Sequence, residues 1–274
     1  MQILKGAPVA AAIRDEIKKE LEGCETKPCL AIVRVGEKQE DLSYERSALK
    51  RMSGVGIETK LFVFPADISM DDFSAEFAAI NDDPTIDGIL LFRPLPAQLN
   101  ESQIVKSIAP EKDVDGFRKG SCFKSCTPKG IIDWMEYNNF EFKGKDCCVL
   151  GRSKIVGLPL TNMLIEKGAT VTCCNSTTPS TWYYTRNADY AFSAVGVPNY
   201  FDFSDFQDFC ELVVDIGINR DENGKLCGDV NNAGFESSLN DTYVTPVPGG
   251  VGLLTRLALM QNTLNAYKIQ KMKG

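Results

Sequence analysis

Eight residues, Thr245-Pro246-Val247-Pro248-Gly249-Gly250-Val251-Gly252, carry the densest backbone signal in the chain. Two prolines and three glycines exclude a helix or a central strand. A backbone so stripped of side chains lets a ligand approach closely, and its N–H groups face the start of a helical pattern over residues 253–268, where anions are favoured. A rigid interdomain turn is the competing reading of the same run. A second segment, Val149-Leu150-Gly151-Arg152-Ser153-Lys154-Ile155-Val156-Gly157, reads as a strand–turn–helix of dinucleotide type, with Ser153 where the second glycine usually stands. Gly151 permits the tight turn, and Gly157 lets the helix lie close to the strand. A phosphate at that helix start would meet Arg152 and Ser153 as donors. The acidic residue that binds a ribose 2′-hydroxyl is missing at the end of the next strand, where Asn175 and Ser176 stand. With Arg152, this favours a 2′-phosphate and hence NADP over NAD, with NAD still open.

The chemistry available to these loops is limited by what the chain lacks. It has no histidine, which removes Ser–His and Cys–His nucleophile schemes and the commonest metal ligand. Reaction steps must therefore run on carboxylates, Lys, Tyr, Thr or a cofactor. The ten cysteines include no C-x-x-C. Cys147-Cys148 and Cys173-Cys174 are neighbours within strands, so their side chains alternate between faces; they read as reduced structural thiols, and no metal site is expected. A net charge of −7 with scattered Lys and Arg argues against nucleic acid as a partner. No stretch approaches the roughly 18 apolar residues of a membrane span, and the first residues lack a signal-peptide core. The expectation is a soluble, cytoplasmic protein with no membrane partner.

The elements that must position these residues alternate. Helices are expected over 7–22, 41–53, 73–81, 129–137 and 157–167, and strands over 29–35, 59–64, 87–92, 146–151, 169–174, 190–195 and 212–216. Strands alternating with helices give parallel α/β layers. Between residues 109 and 128 the pattern breaks into Gly, Pro, Ser and charge, which marks a crossing between domains. The fold expected is α/β in two domains: 1–118 plus 255–274, and a Rossmann-like dinucleotide-binding domain over 119–254.

Gly-Arg-Ser-Lys-Ile-Val-Gly (151–157), Cys-Thr-Pro-Lys-Gly (126–130), Glu-Lys-Asp-Val-Asp-Gly-Phe (111–117) and the 245–252 run occur in one order, joined by Asp215-Ile-Gly-Ile-Asn219 and Gly228-Asp229-Val230. In this the chain resembles the bifunctional methylenetetrahydrofolate dehydrogenase/methenyltetrahydrofolate cyclohydrolase family over nearly its whole length. The resemblance implies two α/β domains with a folate cleft between them, dimerisation through the cofactor domain, and tetrahydrofolate derivatives as ligands. By position it implies that Tyr44 packs on the aminobenzoyl ring and that Asp115 meets the adjacent N–H donors of the pterin edge, a bidentate match for a carboxylate. These two are the candidate catalytic residues. Arg93, Gly249, Gly250, Val251 and Thr255 join them at the substrate, while Thr127, Gly151, Arg152, Ser153, Ile155, Asn175, Ser176 and Ile218 hold the cofactor. Without the resemblance, Asp115 reads as a solvated loop carboxylate or cap and Tyr44 as a half-buried core aromatic.

The chain leaves the family pattern where proton transfer is done. The family's lysine in Tyr-x-x-x-Lys is Ala48 here; Lys50 lies two residues on, about 200° around a helix. The glutamine that partners the lysine is Phe92, followed by Arg93-Pro94-Leu95-Pro96, and Gly-Pro-Met-Thr has become Gly252-Leu253-Leu254-Thr255. Oxidation of 5,10-methylenetetrahydrofolate moves a hydride from a carbon flanked by two nitrogens, so no proton need leave and positioning supplies most of the catalysis. Cyclohydrolysis adds water and transfers protons, which requires a titratable group in reach. Arg93 keeps its proton at any working pH, and Glu45 and Arg46 are neighbours of the tyrosine rather than replacements for the lysine. The expected activity is therefore an NADP-dependent dehydrogenase with weak or lost cyclohydrolase. A non-catalytic folate- or nucleotide-binding relative, and a different two-domain NADP dehydrogenase acting on a hydroxy acid, are the alternatives.

Overall fold

The computed structural model describes residues 2–206, 210–231 and 242–272. In chain order the elements are β1 (Gln2–Ile3), α1 (Ala7–Glu22), β2 (Cys29–Val35), α2 (Gln39–Val55), β3 (Glu58–Phe64), α3 (Met70–Asp82), β4 (Gly88–Leu91), α4 (Glu101–Ser107), α5 (Cys126–Tyr137), β5 (Asp146–Leu150), α6 (Gly157–Glu166), β6 (Thr170–Cys174), α7 (Thr181–Thr185), β7 (Tyr190–Ser193), β8 (Leu212–Asp215), β9 (Asn219–Arg220), β10 (Leu226–Cys227), β11 (Tyr243–Val244) and α8 (Leu254–Lys271). They fall into two compact units, residues 13–126 with 257–274, and residues 1–12 with 127–256.

The first unit is built on a three-stranded parallel sheet, β3-β2-β4. Every residue of central β2 is buried, the mark of a strand covered on both faces. Ala31, Val33 and Val35 pack with Phe73, Phe77 and Ile80 of α3 and Ile104 of α4. Alternation sends Leu30, Ile32 and Arg34 to the opposite face, where Arg34 meets Glu45 of α2. Helix α8 fixes the segment that follows α4: the buried Asn262 amide donates to the carbonyls of Val114 (2.8 Å) and Lys124 (3.2 Å).

The second unit is a six-stranded parallel sheet in the order β1-β11-β8-β7-β5-β6. Because all six strands run the same way, the turns after them emerge along one edge. Strand order reverses between β5 and β7, which makes their carboxyl ends the place where a doubly wound sheet opens a ligand crevice. Residues 2–3, too short to show a period, supply the outermost strand beside Tyr243 and Val244. Helix α4 went unread from sequence although its cap was visible: the Asn100 side chain accepts from Gln103 N at 3.1 Å. The proline–glycine run is irregular up to Gly250, as its composition requires, and then closes one 3-10 turn over Val251–Leu253 before α8. All ten cysteines are free thiols. Among the described residues no cluster of metal-ligating side chains forms, and no helix is long and apolar enough to cross a membrane.

Candidate active site

The turn after β5 is shaped by two glycines. Gly151 sits at φ 108°, in the left-handed region, and a Cβ at Gly157 would collide with the Gly151 carbonyl. Only glycine at both positions lets α6 start against the strand end. Ser153 then acts as a surrogate anion, its Oγ accepting the N–H groups of Val156 (3.1 Å) and Gly157 (3.3 Å). That leaves the hydroxyl hydrogen available to a phosphate oxygen, next to the positive end of α6. Gly151, Arg152 and Ser153 line a cavity of about 520 Å³ together with Asn175, Ser176 and the apolar Leu150, Val195 and Phe201. Among the described residues no carboxylate lines it, and Arg152 is the one cation there. A glycine cradle, free donors and an acid-free wall with an arginine fit a dinucleotide carrying a 2′-phosphate.

The opposite wall, Ala194 to Val197 after β7, is fixed by a carboxylate that the sequence reading did not single out. Asp229 is fully buried. It accepts from the backbone N–H of Val195 (2.8 Å), Gly196 (3.1 Å) and Val197 (3.1 Å), from Ser193 Oγ (3.0 Å) and from Asn219 Nδ2 (2.8 Å). Its own backbone N–H donates to Asp215 Oδ1 at 3.0 Å, and Asp215 also accepts from Gly217 and Val230. Burial raises the Asp215 pKa to about 6 against the pull of those backbone donors, and the Asp229 charge pushes the same way. The two aspartates thus tie the turns after β7 and β8 to one hub. Their motifs, Asp-Ile-Gly-Ile-Asn and Gly-Asp-Val, were the only sequence signal for it.

A second cavity, about 220 Å³, is lined by Gly249, Gly250, Val251, Ile218 and Arg256. Ile218 therefore stands with the glycine run rather than among the residues around Arg152, and Ile155, 41% exposed, is not among the residues lining that cavity. Gly6, absent from the sequence reading, pins the run. Its N–H donates to the Gly249 carbonyl at 3.0 Å, and a Cβ there would lie 2.5 Å from the Gly250 carbonyl oxygen. The hydroxyls of Thr127 and Thr255 meet at 3.1 Å, which brings the start of α5 to the start of α8.

In the other unit, Tyr44 and Phe92 are in edge-to-face contact with ring centroids 5.4 Å apart. Ala48 is buried and Lys50, two residues on, is exposed. Phe92 follows β4 and donates its N–H to the Val33 carbonyl, so the aromatic ring takes the face that α2 covers. Arg93 pairs with Glu101 at 3.0 Å and lies 4.5 Å over the Phe117 ring. Asp115 is half-buried. Burial raises its pKa to about 6, and the Asp113 charge adds to the rise; the Cys126 thiol and the Arg93 charge oppose it. The site has a ring, a carboxyl and a guanidinium, and position 48, where the family pattern has its lysine, is a buried alanine.

Two α/β units, one with a dinucleotide cradle at the edge of a parallel sheet and one with an aromatic–carboxyl group, define a dinucleotide-dependent enzyme architecture. Residues 4–115 match the tetrahydrofolate dehydrogenase/cyclohydrolase catalytic domain, and residues 125–271 match its NAD(P)-binding domain. The chain belongs to the tetrahydrofolate dehydrogenase/cyclohydrolase family. It is 40% identical over 287 residues to the bifunctional protein FolD of Clostridioides difficile, covering 99% of this chain and 98% of that one. The crystal structure of FolD from Campylobacter jejuni superimposes with a TM-score of 0.92 at 34% identity, over 98% of this chain and 99% of the other. The Trypanosoma brucei enzyme, solved with NADP cofactor and an inhibitor, gives 0.88 at 27% identity, over 99% and 98%.

Proposed function

We propose that this chain is an NADP-dependent dehydrogenase that oxidises 5,10-methylenetetrahydrofolate to 5,10-methenyltetrahydrofolate, and that its cyclohydrolase activity is weak or lost. The observation that carries the first part is the acid-free Arg152 cavity at the strand ends of a family member. Gly151, Arg152, Ser153, Asn175 and Ser176 would hold the dinucleotide phosphates, with Thr127, Ile155 and Ile218 completing its contacts. The cofactor, when bound, accepts the hydride. Tyr44 orients the aminobenzoyl ring, and Asp115 as the carboxylate takes the two N–H donors of the pterin edge. Arg93, Gly249, Gly250, Val251 and Thr255 complete the substrate contacts. None of these residues needs to move a proton, because the product cation is delocalised over N–C–N.

Ala48 and Phe92 support the second part. Where the family's lysine and glutamine would stand, a methyl and a phenyl group are buried, the phenyl edge-to-face with Tyr44. Neither can accept or deliver a proton to water attacking the methenyl carbon. The family resemblance further supports a cytoplasmic homodimer.

The test is turnover of 5,10-methylenetetrahydrofolate followed spectrophotometrically with NADP and, separately, with NAD. Methenyltetrahydrofolate should accumulate in step with reduced cofactor, with NADP preferred. Reduced cofactor without methenyl build-up would show that hydrolysis proceeds without the lysine. No turnover with either cofactor would leave a ligand-binding relative.

A further inference from the structure

The face of the sheet that carries Phe92 also carries a charged pair that the reaction above does not use. Arg34 is the penultimate residue of β2, a strand otherwise made of apolar residues, and is 4% exposed. Its Nε donates to Glu45 Oε2 at 2.7 Å, and its second nitrogen donates to the Gly36 carbonyl. Glu45 is 8% exposed and follows Tyr44 directly in α2. Glu45 and Ala48 lie three residues apart on the buried side of that helix, so their side chains are neighbours. Phe92 is bonded through its N–H to Val33, the residue before Arg34.

A buried ion pair is a poor source of stability. Desolvating both charges offsets their attraction, and apolar residues of similar volume often serve as well or better. What such a pair does supply is a fixed geometry, since a charge-assisted bond between two buried groups tolerates little displacement. Here the fixed point is the residue next to Tyr44, on the turn of α2 from which the family's lysine is missing. The start of α2 has no side-chain cap hydrogen bond at Lys38, and the Arg34–Glu45 bond ties its second turn to β2.

We propose that Arg34 and Glu45 are positioning residues for the folate contact: the pair clamps the first half of α2 to β2 and thereby holds the Tyr44 ring against Phe92 in the orientation that receives the aminobenzoyl group. The inference rests on the reading of Tyr44 as a substrate contact. It does not require turnover to be tested.

The decisive variant is Arg34→Leu combined with Glu45→Leu, which removes both charges together and leaves neither charge buried without its partner, at the loss of the Arg34 bond to the Gly36 carbonyl. We measure its thermal midpoint, the Kd for tetrahydrofolate by anaerobic calorimetry, and KM and kcat for both substrates. The expected result is a thermal midpoint at or above that of the native chain, a folate Kd and KM raised about tenfold, and a KM for NADP unchanged, because only the clamp on Tyr44 has gone. Glu45→Gln, which keeps an acceptor for Arg34, should recover much of the folate affinity, and Glu45→Ala, which takes away Arg34's partner on α2, guards against failure of the double variant to fold. A double variant, or failing that Glu45→Ala, with native folate Kd would overturn the proposal. So would folate and NADP affinities that fall together with the thermal midpoint, which marks a merely structural pair. Absence of turnover in the native chain would instead count against the dehydrogenase reading, while the calorimetric comparison still decides this one.

Discussion

At the scale of single residues, the proposed loss of cyclohydrolase turns on position 48. A family lysine there would be delivered by α2 to the face that Phe92 shares, and Ala48 occupies that buried place. Ala48→Lys with Phe92→Gln restores both members of the proton-handling pair and should raise cyclohydrolase turnover by at least about tenfold, within the range that a positioned acid–base group supplies. Assayed as decay of added methenyltetrahydrofolate, an unchanged rate would show that something other than these two side chains limits hydrolysis. Asp115 imposes a pH limit of its own. With a pKa raised to about 6 by burial, it is protonated below that value and loses one of the two acceptors that its proposed folate contact needs. The kcat/KM for the folate should therefore fall as pH drops through about 6 while the Kd for NADP holds, and Asp115→Asn should abolish this limb. Ala48 and Asp115 were legible because motif spacing places them. Arg34 and Glu45 were not, since each looks like ordinary surface charge in sequence; the one signal was an arginine inside an otherwise apolar strand.

At the scale of elements, the strand–turn–helix over residues 146–166 carries the cofactor reading, and its glycines carry the geometry. A methyl at Gly157 would drive into the Gly151 carbonyl, so the helix must tilt away and take the Ser153-capped amides with it. Gly157→Ala should cost about 100-fold in NADP affinity with folate Kd unchanged, as expected when a phosphate cradle is displaced by an ångström or more. Equal NADP binding by the variant would mean that this turn is not the phosphate site. The periodicities placed the longer strands and helices within a few residues, because buried parallel strands and amphipathic helices repeat visibly, while α4, α7 and the two-residue strands β1, β9, β10 and β11 were too short to show a period. The hub of Asp215 and Asp229 escaped that treatment. Its two carboxylates are 14 residues apart and bind mostly backbone N–H groups, and backbone partners leave no trace in side-chain pattern.

At the scale of the whole molecule, the same buried carboxyls couple folding to pH in a direction opposite to that of most proteins. Asp215 is fully buried, and its folded pKa, about 6, lies above its ordinary value of 3.8. A group raised in this way gives stability that is complete below its unfolded pKa and is lost as pH rises through its folded pKa. Across that window the folded chain holds more protons than the unfolded one, so unfolding releases protons and the unfolding free energy falls with pH. A shift of roughly two units corresponds to up to about 3 kcal/mol for Asp215, and half-buried Asp115 adds in the same sense. Denaturant unfolding between pH 4 and 7 should show the decline centred between about 4 and 6. Asp215→Asn cannot titrate, so it should flatten most of that decline whatever it does to stability at a single pH. An unaltered slope in this variant would mean that Asp215 is ionised in the folded chain throughout, stabilised by its three backbone donors. The hub would then be a preformed anion site rather than a buried acid.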